Sequence, residues 1–202
     1  MSEYIKVRHR LAQILPEPVG LMIEPERIPQ AAVTILIREE ADDDQLLLIQ
    51  RAERVGDPWS GHLALPGGRV ERQDSDLRAT AARETYEEVG IDLSGNSALS
   101  GYFIGHLSPL CPRSPDIPPL EITPLVAIAP PEHELQLSPE VSRTWWISID
   151  QLSRQLFASG PGSEHRINLG SYTRKWPAYD SPGGPIWGIT ERILTQFLTL
   201  LK

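Results

Sequence analysis

The stretch that decides the fold is Gly68-Arg-Val-Glu-Arg-Gln-Asp-Ser-Asp-Leu-Arg-Ala-Thr-Ala-Ala-Arg-Glu-Thr-Tyr-Glu-Glu-Val-Gly90-Ile91. Its second half has a helical pattern in which three carboxylates stand three and four residues apart and so share one face. These are Glu84, Glu87 and Glu88. At about 100° per residue, the opposite face is predicted to pack on a core through Ala79, Ala82, Tyr86 and Val89. The pattern therefore predicts an amphipathic helix with a carboxylate cluster suited to a hard metal ion.

A run of glutamates on a helix is most often a solvated face, and this alternative stays open for the pattern alone. However, like charges at i and i+4 cost a few tenths of a kcal/mol. Only Arg83 is near enough in sequence to offset them. A divalent cation would remove the repulsion, and a broken local rule often marks a functional site. Arg83 is expected to orient the helix by pairing with a carboxylate, in support of the catalytic set.

The segment before the helix, Leu65-Pro66-Gly67-Gly68, permits a sharp turn. Two glycines after a proline allow positive φ angles and close approach of the backbone to a ligand. Asp74 or Ser75 is the predicted N-cap, and Gly90 is the predicted C-terminal stop. The unit is predicted to be a strand, a glycine loop and a helix, with Gly67 and Gly68 contacting the substrate.

These residues resemble the box of the Nudix hydrolases, Gly-x5-Glu-x7-Arg-Glu-U-x-Glu-Glu-x-Gly-U, in which U is a bulky apolar residue. The match covers Gly68 to Ile91, with Thr85 at the first apolar position and Asp74 at the first Glu position. One extra residue separates Gly68 from Arg83. The longer box with Asp is similar to that of the coenzyme A pyrophosphatase branch.

Further segments extend the resemblance to that branch. Gly61 to Gly68 is similar to its Gly-Gln-x-x-Phe-Pro-Gly-Gly lead-in, with His62 and Leu65 in place of Gln and Phe. Arg51-Ala52 and a shifted Arg54 meet its basic lead-in in part, and residues 186–194 resemble its C-terminal helix.

The resemblance implies an α/β/α sandwich with a mixed β-sheet and a requirement for Mg²⁺ or Mn²⁺. It implies hydrolysis of a nucleoside diphosphate derivative, with coenzyme A or acyl-coenzyme A as the leading substrate and 3',5'-ADP and (acyl-)4'-phosphopantetheine as products. Two alternatives stay open: a Nudix pyrophosphatase acting on ADP-ribose, dinucleotides or capped RNA, and a non-catalytic domain that binds nucleotides as a regulator.

Length and composition agree with one globular domain. With 202 residues, 40% hydrophobic and 23% charged, residues 1–202 are expected to form one domain that buries a full core. The net charge of −8 argues against binding to nucleic acid. Cys111 is alone and excludes an internal disulfide, which fits a reducing compartment and makes the cytoplasm the default. The expected partner is a small-molecule substrate, with no membrane and with a homodimer left open.

The remaining segments are assigned from periodicity and turn residues. A helix is predicted over Tyr4–Leu15, a linker over Pro16–Pro29, and a helix over Gln151–Phe157. Ser159–Pro185 is predicted to be irregular and Ile186–Leu201 to be a helix. Strands are predicted over Ala31–Arg38, Gln45–Arg51, Gly101–Leu107, Ile122–Ala129 and Thr144–Ser148.

Several residues besides the glutamates and Arg83 of the box are candidates for the site. Glu140, just before the Trp145-Trp146 strand, is an additional catalytic carboxylate or an ordinary loop residue. Candidate substrate-binding residues are Arg51, Arg54, Arg69, Arg113 and His62. Each arginine is otherwise an ordinary exposed side chain, and the alternative for His62 is a hydrogen bond in a turn or strand. Trp145 and Trp146 are expected in the core or a lid rather than as a platform for a base.

Overall fold

The computed structural model of the protein describes residues 6–24, 28–55, 59–97, 99–112, 118–159, 163–168 and 173–202. The helices are α1 (Val7–Leu11), α2 (Leu77–Val89), α3 (Ile149–Ser159) and α4 (Gly188–Thr199). The strands are β1 (Gln30–Arg38), β2 (Gln45–Arg51), β3 (Leu63–Ala64), β4 (Gly67–Arg69), β5 (Tyr102–His106), β6 (Glu121–Ile128), β7 (Val141–Ser148), β8 (Ser163–Asn168), β9 (Thr173–Tyr179) and β10 (Ile186–Trp187).

The larger sheet is mixed and has the strand order β3-β2-β1-β6-β5, with β4 also pairing with β1 and β7 with β2. The central pair β1 and β6 is parallel, from Gln30 opposite Glu121 to Ile37 opposite Ile128. The other pairs in this sheet are antiparallel, including the β1–β2 hairpin that the sequence predicts.

Helices cover both faces of this sheet because alternate residues of its strands point to opposite sides. On β1, Ile35 and Ile37 pack into a cluster with apolar residues of α1, α3 and α4. Ala32 and Leu36 pack on the other side, with α2. The predicted α/β/α sandwich with a mixed sheet is confirmed.

The N-terminal helix is shorter than predicted. Within the described part of the predicted segment, α1 spans only Val7–Leu11, and both end residues are buried. Pro16 disfavours the helical conformation of Leu15, so the helical pattern cannot continue toward the linker.

The prediction of irregular structure over Ser159–Pro185 was wrong. Strands β8 and β9 pair in antiparallel register, from Ser163 opposite Ala178 to Asn168 opposite Thr173. The Gly, Pro and Ser residues around these strands concealed them, because such residues normally mark loops. The final helix also begins later than predicted, because Ile186 and Trp187 form β10 against β9.

No helix among the described residues has both the length and the apolar character that would be needed to cross a membrane.

Candidate active site

The two glycines of β4 bring the strand and α2 together. Gly67 lies opposite Val33 and Gly68 opposite Ala32 on β1. Gly67 has a φ of 146°, and a Cβ there would lie 2.5 Å from the Val33 Cα atom. A Cβ on Gly68 would lie 2.5 Å from the Glu84 carboxyl carbon. Glycine is therefore required at Gly68 for the Glu84 carboxylate to rest against the β4 backbone.

Helix α2 begins and ends close to the predicted positions, but its N-cap is Asp76 and not Asp74 or Ser75. The Asp76 side chain accepts a hydrogen bond of 2.7 Å from the Ala79 amide. At the other end Gly90 is the left-handed C-cap, with a φ of 77°. Asp74 is unavailable as a cap because it binds Arg83 instead.

The buried face of α2 differs from the prediction. Tyr86, predicted to pack on the core, is 61% exposed, whereas Ala79 and Ala82 are half-buried and Val89 is buried as expected. The buried set also contains polar residues and one carboxylate; it comprises Leu77, Thr80, Ala81, Thr85, Glu88 and Val89. The three glutamates therefore differ in burial: Glu88 is buried, Glu84 is half-buried and Glu87 is exposed.

Thr85, which stands where the Nudix box has an apolar residue, is fully buried. Its hydroxyl donates to the Ala81 carbonyl at 2.7 Å and lies 2.8 Å from the hydroxyl of Thr34 on β1. The hydrogen bonds satisfy both buried hydroxyls, so a polar pair takes the place of an apolar contact between α2 and the sheet.

Glu88 is the carboxylate most enclosed by the fold. Its side chain accepts a hydrogen bond of 2.9 Å from the Gly67 amide, and the residue is only 6% exposed. Burial raises its pKa to about 7, although the Gly67 hydrogen bond lowers it. The neighbouring charges of Glu84 and Glu140 raise the pKa further, and that of Arg51 lowers it. The charges of Glu84, Glu140 and Arg51 therefore all act on the Glu88 carboxylate.

Arg83 holds the box together through hydrogen bonds to four residues in the described part of the chain. It contacts both oxygens of Asp74, from Nε and Nη2, at 3.0 Å each. Its Nη1 donates to Glu84 at 3.0 Å and to Glu87 at 3.1 Å, and its Nη2 donates to the Arg69 carbonyl at 3.1 Å. The Asp74 and Glu84 contacts raise the Arg83 pKa despite its partial burial. Arg83 thus orients the helix against β4, the arrangement that the sequence predicts.

Asp74 and Glu84 respond differently to burial beside Arg83. Burial alone would raise the pKa of Asp74, but hydrogen bonds from Arg83, the Glu71 amide and Thr80 lower it below its usual value. Burial raises the pKa of Glu84, against the opposing effect of Arg83. Asp74 is therefore a permanent anionic partner of Arg83, and Glu84 is a carboxylate that would gain from a cation.

Glu140 reaches the same region from the loop before β7. Its carbonyl accepts from the Ala52 amide at 2.8 Å, and its carboxylate contacts Arg54 at 2.8 Å. The preceding loop is tied to α2, since the Ser138 amide donates to the Glu88 carbonyl at 3.1 Å. The fold thus brings together Glu84, Glu88, Glu140, Arg51 and Arg54, which are far apart in sequence.

The other candidates lie in different places. Arg69 is exposed at the end of β4, and its backbone carbonyl accepts a hydrogen bond from Arg83. The His62 ring packs against Trp187, with their centroids 4.8 Å apart. Trp145 packs against the core cluster that contains α4, and Trp146 against the cluster that contains α2, as expected. Arg113 lies outside the described residues.

The acidic side chains of the site carry the oxygen donors that a divalent cation binds. Their arrangement in this structure does not form a complete binding site for one. Among the described residues, no group of three or more His, Cys, Asp or Glu side chains stands ready around a cation position. Arg83 holds the carboxylates of Glu84 and Glu87 by hydrogen bonds, and the Gly67 amide holds that of Glu88. Nevertheless, Glu84 and Glu88 are both oxygen donors whose pKa burial raises, and the charge of Glu84 raises that of Glu88 further, a cost of ionisation that Mg²⁺ or Mn²⁺ would relieve.

The sequence did not predict that Glu88 is buried. It also did not predict that Trp187 lies against His62 and Trp176 against Trp187. The first could have been found from Thr80, Ala81 and Thr85, whose small side chains mark the face of α2 that lies closest to the sheet. The second depends on β9 and β10, which the sequence did not reveal.

Comparisons with known proteins agree with this geometry. A profile of the NUDIX domain matches residues 28–166. An uncharacterized Nudix hydrolase NudL from Enterobacter sp. (strain 638) is 32% identical over 83% of this chain and 80% of its own length. An uncharacterized protein from Schizosaccharomyces pombe is 37% identical over 63% of this chain, which spans only 44% of that protein.

Among solved structures, a MutT/nudix family protein from Enterococcus faecalis has a TM-score of 0.51 and 17% identity, covering 98% of this chain and 81% of that one. At this identity the likeness concerns the fold alone. The domain match, the relative over most of the chain and the box geometry agree: the chain belongs to the Nudix family and is a pyrophosphohydrolase.

Proposed function

We propose that the protein hydrolyses the diphosphate bond of coenzyme A or acyl-coenzyme A, giving 3',5'-ADP and (acyl-)4'-phosphopantetheine. The observation that carries the diphosphate chemistry is the pair of carboxylates Glu84 and Glu88, which are held against Gly67 and Gly68 and flanked by Glu140 and Arg51. Such a site combines anionic groups for a cation with a cationic group for phosphate.

Glu84, Glu87 and Glu88 are the residues that would hold Mg²⁺ or Mn²⁺. When bound, the cation neutralises charge on the diphosphate and promotes its hydrolysis by water. The chain itself supplies orientation: Arg83 fixes Glu84 and Glu87, and the Gly67 amide fixes Glu88. Glu140 is proposed to accept the proton from the attacking water, since it is exposed and adjoins this region.

The substrate phosphates need cationic partners in a chain whose net charge is −8. Arg51 lies close enough to influence Glu88, and Arg54 is joined to Glu140. Guanidinium groups bind phosphate through paired hydrogen bonds, so these two residues are the proposed phosphate contacts, with Arg69 and Arg113 as further candidates.

The choice of coenzyme A rests on the longer box and on the segments around it. The residue that makes the box distinctive, Asp74, forms the bidentate pair with Arg83. The Gly61–Gly68 lead-in becomes β3 and β4, and the C-terminal segment that resembles the same branch becomes β10 and α4. The replaced residues His62 and Leu65 and the shifted Arg54 are the points at which another substrate would be selected.

A substrate comparison tests this choice. Values of kcat/KM are measured with Mg²⁺ and with Mn²⁺ for coenzyme A, acetyl-coenzyme A, ADP-ribose, a diadenosine polyphosphate and capped RNA. We expect coenzyme A or its acyl form to be preferred. If ADP-ribose or a dinucleotide exceeds it tenfold, which is about 1.4 kcal/mol of transition-state preference, the coenzyme A assignment is wrong.

The absence of turnover on every diphosphate by the folded chain would instead favour a regulatory nucleotide-binding domain. We place the activity in the cytoplasm, since the lone Cys111 fits a reducing compartment.

A further inference from the structure

Three aromatic rings form a small wall next to the end of β2 that carries Arg51. This aromatic wall consists of His62, just before β3, Trp176 on β9 and Trp187 on β10. The His62 and Trp187 centroids are 4.8 Å apart at 66°, and the Trp176 and Trp187 centroids are 6.1 Å apart at 46°. All three residues are half-buried. Each of the three residues therefore keeps part of its surface exposed.

The wall does not belong to the packing of the two cores. In the described part of the chain, Trp176 and Trp187 are absent from both hydrophobic clusters, whereas Trp145 and Ile189 beside them take part. Indole rings left partly open outside a core are the usual platform for a flat ligand, since every nucleobase offers a π-face for stacking.

The position of the wall relative to the carboxylates suits a nucleotide. From His62 the chain runs through β3 to Gly67, whose amide holds Glu88. At about 3.3 Å per residue, five residues span at most about 16 Å, so His62 and Gly67 lie no farther apart than this upper limit. Arg51 connects the two sides, because its amide donates to the His62 carbonyl at 3.1 Å and its charge acts on Glu88.

We propose that the aromatic wall binds the nucleobase of the substrate by stacking, which orients the diphosphate toward Glu84 and Glu88. This inference rests on the proposed function and adds to it the recognition of the base half of the substrate. Stacking without fixed hydrogen-bond partners tolerates different bases, so the wall selects a nucleotide end and leaves the other arm of the substrate to other residues.

The test compares the two halves of coenzyme A as separate probes. Calorimetric Kd values for 3',5'-ADP and for 4'-phosphopantetheine are measured on the wild type, on Trp187→Ala and on Trp187→Phe, together with KM and kcat for coenzyme A. The matched control is Phe157→Ala, which removes an exposed aromatic ring on α3 that is not part of the wall. Thermal denaturation of each variant identifies any that fails to fold, in which case Trp176→Ala replaces it.

We expect Trp187→Ala to weaken 3',5'-ADP at least tenfold and to raise KM more than it lowers kcat, whereas Trp187→Phe and Phe157→Ala stay within threefold of wild type. An effect on 4'-phosphopantetheine alone, or an equal loss for both halves, overturns the proposal.

The outcomes also separate this inference from the proposed function. If the wild type hydrolyses coenzyme A and the folded Trp187→Ala variant binds 3',5'-ADP normally, the stacking proposal is wrong and the proposed function stands. If no diphosphate is hydrolysed but 3',5'-ADP binding depends on Trp187, the proposed function is wrong and the stacking proposal stands.

Discussion

Replacing Glu88 by Gln should stabilise the protein while abolishing its activity. The fold raises the Glu88 pKa from 4.5 to about 7. At about 1.4 kcal/mol per pH unit, this corresponds to about 3 kcal/mol of folding free energy lost when Glu88 is ionised. Because the pKa is raised in the folded state, the cost is absent well below pH 4.5 and complete above about pH 7. Glutamine carries no such cost and can still accept the hydrogen bond from Gly67.

The assay is urea denaturation followed by tryptophan fluorescence, in EDTA, at about pH 5.5 and pH 8.5. Linkage predicts that the free energy of unfolding of Glu88→Gln, minus that of wild type, is about 2 kcal/mol larger at the higher pH. Any constant effect of the introduced amide cancels in this comparison. The matched control is Glu87→Gln, because Glu87 lies exposed on the same helix, and its difference should stay within about 0.5 kcal/mol. An equal difference at both pH values for Glu88→Gln refutes the reasoning, since burial would then not penalise the charge.

Three further substitutions test other parts of the site. Arg83→Ala should lower the free energy of unfolding by about 2–3 kcal/mol, because Asp74 would be left buried without its bidentate partner, and should lower activity too; a loss below about 0.5 kcal/mol in urea denaturation argues against the clamp. Gly68→Ala should reduce kcat at least tenfold in a steady-state assay, because its Cβ would displace the Glu84 carboxylate, and unchanged turnover in a folded variant contradicts the close approach. Thr85→Val should cost about 1 kcal/mol and be rescued by adding Thr34→Val, because both buried hydroxyls then disappear together; strictly additive costs count against their pairing.

Most of the large sheet, and the helix that carries the glutamates, could be predicted from local sequence pattern. The strands β1, β2, β5, β6 and β7 follow apolar runs, and the Gly68–Ile91 box resembles a known motif, so their positions were predicted closely. Strands β8 and β9 were missed although they are neighbours in sequence, because their residues are mostly polar and do not alternate with apolar ones.

The orientation of α2 was the main error in the site. Periodicity favoured Tyr86 as a core residue, because it is large and aromatic, yet Tyr86 points to solvent and Glu88 lies inside. The close approach of α2 to β4 at Gly68 selects small residues such as Ala81 and Thr85 for the contact face. A hydrophobicity pattern does not contain that steric requirement, and it does not predict the burial of a carboxylate.

The most direct test of the central claim is hydrolysis of coenzyme A in ¹⁸O-labelled water with Mg²⁺, followed by mass spectrometry of the products. The account predicts 3',5'-ADP and 4'-phosphopantetheine, with one ¹⁸O atom in one of the two. It also predicts that Glu88→Gln, folded and at least as stable as wild type at about pH 8.5, forms them at least about a thousandfold more slowly, because it lacks a charged oxygen donor for the cation. Equal rates for Glu88→Gln and wild type would contradict the claim that this carboxylate site carries out the chemistry.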